Sequence, residues 1–353
     1  MKKITIKNKT YFLPVFLPDA TKGYVKAVDS NDLHSAKVDG VVVNSYYLIK
    51  LSKDIKKFMN FNGLVVSDSG GWQIFSLIQR NKKMGQIYED GVVFSIGKNK
   101  KLFTPEDCID VQFKLNSDIV ICLDHFSPPN STKNRVEESV VRTTEWAKRC
   151  KKRYLQNLKK YKLADKTRPL IFGVVQGAEY KDMRQKSAEE LIKIGFDGYG
   201  FGGYLVDEKN EGLDMNMMHY LSNLIPDDKI KFSLGTGMPW EIAQLSKQGW
   251  DMFDCTLPTR DARHKRIYVF KKNPKSIKDL VNKDNYEFLY LNKNKFANDD
   301  MPLDKYCDCP VCKTYSRSYI HYLFKQKDIL ALRLATIHNL RHFTKVIEIL
   351  RKN

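Results

Sequence analysis

The sequence lacks any run approaching the about 18 consecutive apolar residues that a membrane-spanning helix needs. Its first residues, Met1-Lys2-Lys3-Ile4-Thr5, alternate charged and apolar side chains and carry no apolar signal-peptide core. No low-complexity linker divides it, and no repeat recurs at solenoid periods. No glycine-rich phosphate loop follows the first apolar run, where a doubly wound nucleotide-binding fold would place one; Pro18-Asp19-Ala20-Thr21 stands there instead. The seven cysteines are odd in number and three crowd together, which suits reduced thiols with a metal rather than a disulfide framework. A cytoplasmic protein is expected.

What is present is basic charge and a regular alternation. Sixty basic residues face 41 acidic ones, a formal charge of +19. An excess of that size attracts phosphate backbones, so nucleic acid is the first partner to consider. Short apolar runs at 13–17, 40–43, 64–66, 119–123, 170–175, 199–201, 231–234 and 252–253 are separated by longer helical patterns. That alternation predicts a parallel sheet, and its eightfold count predicts a (β/α)8 TIM barrel of the α/β class. Helices are expected over 136–158, 187–193 and 241–247, with a last one carrying Leu330, Leu334 and Ile337 on one face. The expected division is a barrel catalytic domain over 1–300, then a small zinc-binding subdomain and final helix over 301–353.

In such barrels chemistry gathers at the C-terminal ends of the strands. Just past the apolar runs stand Asn44, Asp68, Asp124, Gln176, Gly202-Gly203, Gly235 and Asp254. Any one of them reads as a turn cap; their recurrence at successive strand ends points to one mouth. Asp254 ends an apolar run and is followed by Leu257-Pro258-Thr259-Arg260, a carboxylate able to attack carbon beside a basic side chain able to hold a polyanion. Asp68-Ser69-Gly70-Gly71-Trp72-Gln73 combines a possible proton carrier, a tight turn and a flat aromatic face. Asp124 and Gln176 suit the hydrogen-bonding edge of guanine, and the backbone at Gly202-Gly203-Tyr204 could reach base oxygens.

Cys307-Asp308-Cys309-Pro310-Val311-Cys312 is the most specific local signal. Three thiolates with one- and two-residue gaps can converge on one ion, leaving one tetrahedral position for His321, His338 or His342. A closed Cys3His site would be structural.

These motifs, in this order from about residue 13 to 349, resemble the tRNA-guanine transglycosylases, the bacterial base-exchange enzymes of queuosine biosynthesis. The resemblance rests on Asp68 to Gln73, Val175-Gln176-Gly177, Gly195-Phe196-Asp197-Gly198-Tyr199, Gly202-Gly203, Phe253-Asp254-Cys255, Leu257 to Arg260 and the cysteine cluster. It implies that Asp254 is the nucleophile that forms a covalent intermediate with the ribose of the wobble guanosine, and Asp68 the general acid/base. It implies base recognition by Asp124, Gln176, Gly203 and the carbonyl of Tyr204, with Ser69 and Trp72 in the same motifs. Arg260 and Arg263 would grip the anticodon of tRNA, and Cys307, Cys309, Cys312 and His338 would hold one structural Zn2+. The family is usually homodimeric.

The sequence departs from the family at Tyr47 in Asn44-Ser45-Tyr46-Tyr47-Leu48, at His125-Phe126, and along Gly203-Tyr204-Leu205-Val206-Asp207-Glu208. It also starts and ends early for the family. The departures touch the incoming base, a 7-deazaguanine. The aminomethyl form is expected because Val206 stands where queuine users tend to carry glycine. Queuine insertion, a non-catalytic tRNA-binding subunit and a DNA-modifying relative are the alternatives.

Overall fold

The computed structural model describes residues 2–51, 53–96, 99–203, 206–207 and 212–352. Eight parallel strands carry the architecture: β1 Val15–Pro18, β2 Gly40–Asn44, β3 Leu64–Asp68, β4 Ile119–Ile121, β5 Leu170–Val175, β6 Gly198–Phe201, β7 Ile230–Ser233 and β8 Met252–Cys255. Each is one of the eight expected apolar runs, shifted by at most a few residues. Their hydrogen-bonded order, β1-β8-β7-β6-β5-β4-β3-β2, follows the chain once around a circle. A parallel bridge from Asp19 to Val42, with Ala20 N donating to Val42 O at 2.7 Å, joins the last pair. The sheet is therefore the expected (β/α)8 barrel.

Period-two alternation sorts the strand residues into two cores. Val15, Leu17, Val42, Leu64, Val66, Ile119, Ile121, Phe172, Val174, Ile230, Phe232 and Met252 fill the barrel interior. Their neighbours, among them Phe16, Val41, Val43, Val65, Ile171 and Phe253, face the surrounding helices. Strand β6 offers glycine to the interior because there is no room for more. A Cβ on Gly198 would meet the Phe172 ring, and one on Gly200 would lie 2.9 Å from the Leu234 side chain. Removing a ring such as Phe172 from this packing would cost about 3–5 kcal/mol. The antiparallel hairpin Lys3–Ile6/Lys9–Phe12 adds Ile6 and Tyr11 to the same interior cluster.

Helix α1, Lys133–Lys160, begins before the expected 136 and has no acidic residue in its first turn. It keeps the basic last turn, Lys159 and Lys160, that favours the C-terminal end of the helix dipole. Helix α2, Lys181–Ile194, is twice the length read from its apolar spacing. A three-stranded antiparallel sheet, Gly85–Ile87, Val92–Ile96 and Asn99–Phe103, lies between β3 and β4 in the chain. After β8 come helix α3, Leu257–Arg263, and an antiparallel pair, Arg266–Phe270 with Tyr286–Tyr290.

The final helix α4, Ile329–Lys352, ties two cores together. Ala331, Leu334 and Ile337 pack in a second apolar cluster with Ile267, Val269, Leu289, Cys309 and Ile320. Leu340, Phe343 and Val346 pack against the outside of the barrel. Among the described residues no helix is long and apolar enough to cross a membrane.

Candidate active site

The alternation that fills the barrel continues past the strand ends, where apolar side chains give way to polar ones. Two residues beyond inward Leu17, Val42, Val66, Val174 and Met252 stand Asp19, Asn44, Asp68, Gln176 and Asp254. The polar mouth is thus the uppermost layer of the barrel interior. Asp19 is the member that strand-end reading passed over, although it follows its apolar run just as Asp68 and Asp254 do.

The described side chains are linked around this mouth. Asn44 Nδ2 donates to Asp68 Oδ2 at 2.8 Å. Ser69 Oγ donates to Asp124 Oδ1 at 3.1 Å, and Gln176 Nε2 donates to Asp124 Oδ2 at 2.6 Å. Gly235 N donates to Asp254 Oδ1 at 2.9 Å. A Cβ at Gly71 would press on Asp124, standing 3.0 Å from its O and 3.1 Å from its Oδ1. Trp72, 43% exposed, meets Phe126 edge-on with ring centroids 4.4 Å apart. Phe126 in turn lies 3.7 Å from where a Gly203 Cβ would be. The substituted wall is therefore made by Phe126, while His125 turns outward to Arg142, whose guanidinium lies 3.0 Å from His125 Nδ1. Burial, then Arg142, lowers the His125 pKa to about 3, so the ring is neutral.

The three carboxylates are held above their ordinary range. Burial, followed by the charge of Asp124, raises Asp68 to about 7. Burial raises Asp124 to about 6 against the hydrogen bonds from Gln176 and Ser69. Burial, with the charges of Asp68 and Asp19 adding to it, raises Asp254 to about 7 against the Gly235 amide. Near neutral pH Asp68 and Asp254 can therefore each take up or release a proton, as a general acid or base must.

A residue with no sequence signal of its own supports the base side of the mouth. Arg184, on α2, is fully buried. Its NH1 donates to Val175 O and Gly202 O, both at 2.7 Å, and its Nε to Ala178 O at 2.9 Å. The guanidinium thereby ties β5 to β6 where Gln176 and Gly203 emerge. Its NH2 has no partner among the described residues and would lie 3.1 Å from a Gly203 Cβ. Tyr204 lies outside the described residues.

Helix α3 follows Asp254 directly. Arg260 projects from it with a half-exposed side chain, and Arg263 NH1 donates to Thr259 O at 2.9 Å. Farther away, the ligand atoms of Cys307, Cys309, Cys312 and His338 all lie within 4.8 Å of one another, a cluster that could hold a metal ion. His338 Nε2 donates to Tyr268 O at 2.7 Å, which leaves Nδ1, 3.1 Å from Cys312 Sγ, as the nitrogen able to ligate an ion. His321 is spent on Leu291 O at 2.6 Å, and His342 stacks on Phe270 at 4.0 Å. The geometry selects His338 from the three candidates. Cys108, Cys122, Cys150 and Cys255 are all buried, with Cys108 and Cys122 both beside Cys150.

A parallel barrel whose mouth presents paired carboxylates beside a polar, glycine-lined pocket defines a (β/α)8 enzyme of the group-transfer kind. The family model described as queuine tRNA-ribosyltransferase matches residues 1–353. A queuine tRNA-ribosyltransferase of Psychrobacter sp. (strain PRwf-1) is 34% identical over 358 residues, covering 99% of this chain and 88% of its own. One from Solidesulfovibrio magneticus is 35% identical over 356 residues, covering 98% and 88%. One from Acinetobacter baumannii (strain AYE) is 34% identical over 359 residues, covering 99% and 88%. The chain belongs to the queuine tRNA-ribosyltransferase family, whose enzymes are pentosyltransferases.

Proposed function

We propose that the protein exchanges guanine at the wobble position of a tRNA anticodon for a 7-deazaguanine, with 7-aminomethyl-7-deazaguanine as the incoming base. The observation that carries the reading is the placement of Asp68 and Asp254 on inward positions of one mouth, beside the Asp124–Gln176 pair. In this reading a carboxylate oxygen of Asp254 attacks C1′ of the nucleotide, and the C1′–N9 bond breaks. The departing guanine takes a proton from Asp68. The incoming base gives its N9 proton back to Asp68 and attacks C1′, which releases Asp254. Atoms and charge balance without a redox cofactor.

Asp124 and the Gln176 amide would read the purine edge, with Gly203 N–H, Ser69 and the Tyr204 carbonyl beside them and Trp72 and Phe126 as flat walls. Arg260 and Arg263, on the helix that follows Asp254, would contact the opened anticodon loop, as readers of single-stranded RNA require. The basic surplus supports a nucleic-acid partner of this kind. Cys307, Cys309, Cys312 and His338 would hold one Zn2+, because three sulfurs and one imidazole nitrogen are the donor set that tetrahedral zinc prefers. That ion would fasten residues 301–353 into a unit and would take no part in the chemistry. The assembly is proposed to be a cytoplasmic homodimer.

The deciding experiment supplies tRNA and duplex DNA, each carrying labelled guanine, together with either the aminomethyl base or queuine. Release of label from tRNA alone, driven by the aminomethyl base, is expected. Release driven only by queuine would replace the incoming base, and release from DNA alone would replace the substrate.

A further inference from the structure

Asp19 has no part in the reaction just described, yet it stands on an inward position of the same mouth. It follows β1, the strand paired in register with the strand of Asp254, so that Leu17 lies opposite Asp254 and Pro18 opposite Cys255. Asp19 therefore stands one inward position farther toward the opening than Asp254. On its other side it bridges to Val42, two residues before Asn44, the partner of Asp68.

The carboxylate is fixed and half used. Thr21 N donates to Asp19 Oδ1 at 2.9 Å, and the Thr21 hydroxyl donates to the same oxygen. No donor to Oδ2 and no cation paired with Asp19 is found among the described residues. A partly buried carboxylate with one oxygen pinned and the other free at the lip of a reaction site is an acceptor waiting for a donor.

We propose that Asp19 Oδ2 accepts a hydrogen bond from the ribose 2′-hydroxyl of the nucleotide whose C1′ faces Asp254, and so favours a ribonucleotide over a deoxyribonucleotide. The inference rests on the transglycosylase reading. A nucleotide held for attack at C1′ carries its 2′-hydroxyl on the adjacent carbon, and that hydroxyl is the group by which a protein tells RNA from DNA at a given position. The base edge, engaged by Asp124 and Gln176 on the far side of the mouth, carries no such information. A second consequence follows from the charge of Asp19. It disfavours ionisation of Asp254 equally for every substrate, so it changes overall rate but not the preference between sugars.

The test measures guanine exchange on two synthetic anticodon stem-loops that differ only in carrying guanosine or 2′-deoxyguanosine at the exchanged position. The full chain is used as wild type, Asp19→Ala and Asp19→Asn. The ratio of kcat/KM for ribo over deoxy substrate is expected to fall about tenfold or more in Asp19→Ala, mainly through the ribo substrate. Asp19→Asn keeps an uncharged acceptor, and its ratio is expected to fall by about threefold. Because each ratio is taken on one preparation, loss of folded enzyme scales both rates and cancels. If Asp19→Ala does not fold, the Asp19→Asn ratio decides. A ratio that stays within about twofold of wild type in the variants that fold would overturn the assignment. Wild type that exchanges guanine in neither stem-loop would overturn the transglycosylase reading, and the role of Asp19 with it.

Discussion

Asn44 and Asp68 are register partners on adjacent strands, and the Asn44 amide donates to Asp68 Oδ2 at 2.8 Å. That bond favours the charged form of Asp68 against the burial that disfavours it. Replacing Asn44 by Leu, similar in size and without a donor, removes the favourable contact. The Asp68 pKa should then rise above about 7, moving the Asp68 limb of the kcat/KM profile to higher pH and lowering the maximal rate about tenfold. A profile that does not move would separate Asp68 from the proton transfer.

Asp254 is expected to be essential: Asp254→Asn should lower exchange by about three orders of magnitude or more and abolish the covalent tRNA adduct on denaturing gels. The same variant should gain stability in a pH-dependent way. A carboxyl raised to about 7 from 3.8 favours folding at low pH and loses that contribution as pH rises through 7. Asparagine carries no such term. The variant should melt about 2–4 °C above wild type at pH 8, with the difference shrinking toward pH 5. An equal gain at both pH values would contradict the raised pKa.

Arg184 donates to three backbone carbonyls from full burial. Arg184→Met should destabilise the protein by about 2–4 kcal/mol, read as a lower denaturation midpoint, because carbonyls of β5 and β6 lose their donors. In the molecules that remain folded, KM for the incoming base should rise more than kcat falls, since Gln176 and Gly203 lose their common brace. Equal loss in both parameters would place Arg184 outside base recognition.

Metal analysis should find about one zinc per chain. Cys309→Ser should lose the metal and loosen residues around α4, seen as faster hydrogen exchange there and a lower melting temperature. Residual activity should track the folded fraction. Full zinc content in that variant would refute the ligand assignment.

Binding of tRNA should weaken steeply with salt, as counterion release requires. Arg260→Ala should weaken it and reduce the slope of log K against log salt by about 1, whereas a slope unchanged by the substitution would remove Arg260 from the phosphate contacts.

The legible part of this molecule was periodic or clustered. The eight barrel strands read as apolar runs because both of their faces are buried. The strand-end aspartates and the Cys-x-Cys-x2-Cys group stood out by position. The pair Arg266–Phe270/Tyr286–Tyr290 did not, because Tyr286–Tyr290 lies inside a lysine- and asparagine-rich stretch and is a strand by virtue of its ladder to Arg266–Phe270, which itself packs on α4. Helix α2 was read at half its length, since Lys181 to Lys186 carry few apolar side chains and are held by packing.

The amino-acid order alone determined the barrel and the family, and it set Asp254 and Asp68 at strand ends, because these depend on side-chain type at fixed spacing along one chain. Residue spacing left three histidines open beside the cysteines, and the family resemblance implies His338. Only the tertiary structure gives the physical reason, that Tyr268 O, 70 residues away in sequence, holds the far nitrogen of His338. The same holds for Arg184, whose role exists only where β5 and β6 come side by side, and for Asp19. That carboxylate matters because closure of the barrel carries the first strand around to lie against the last, beside Asp254.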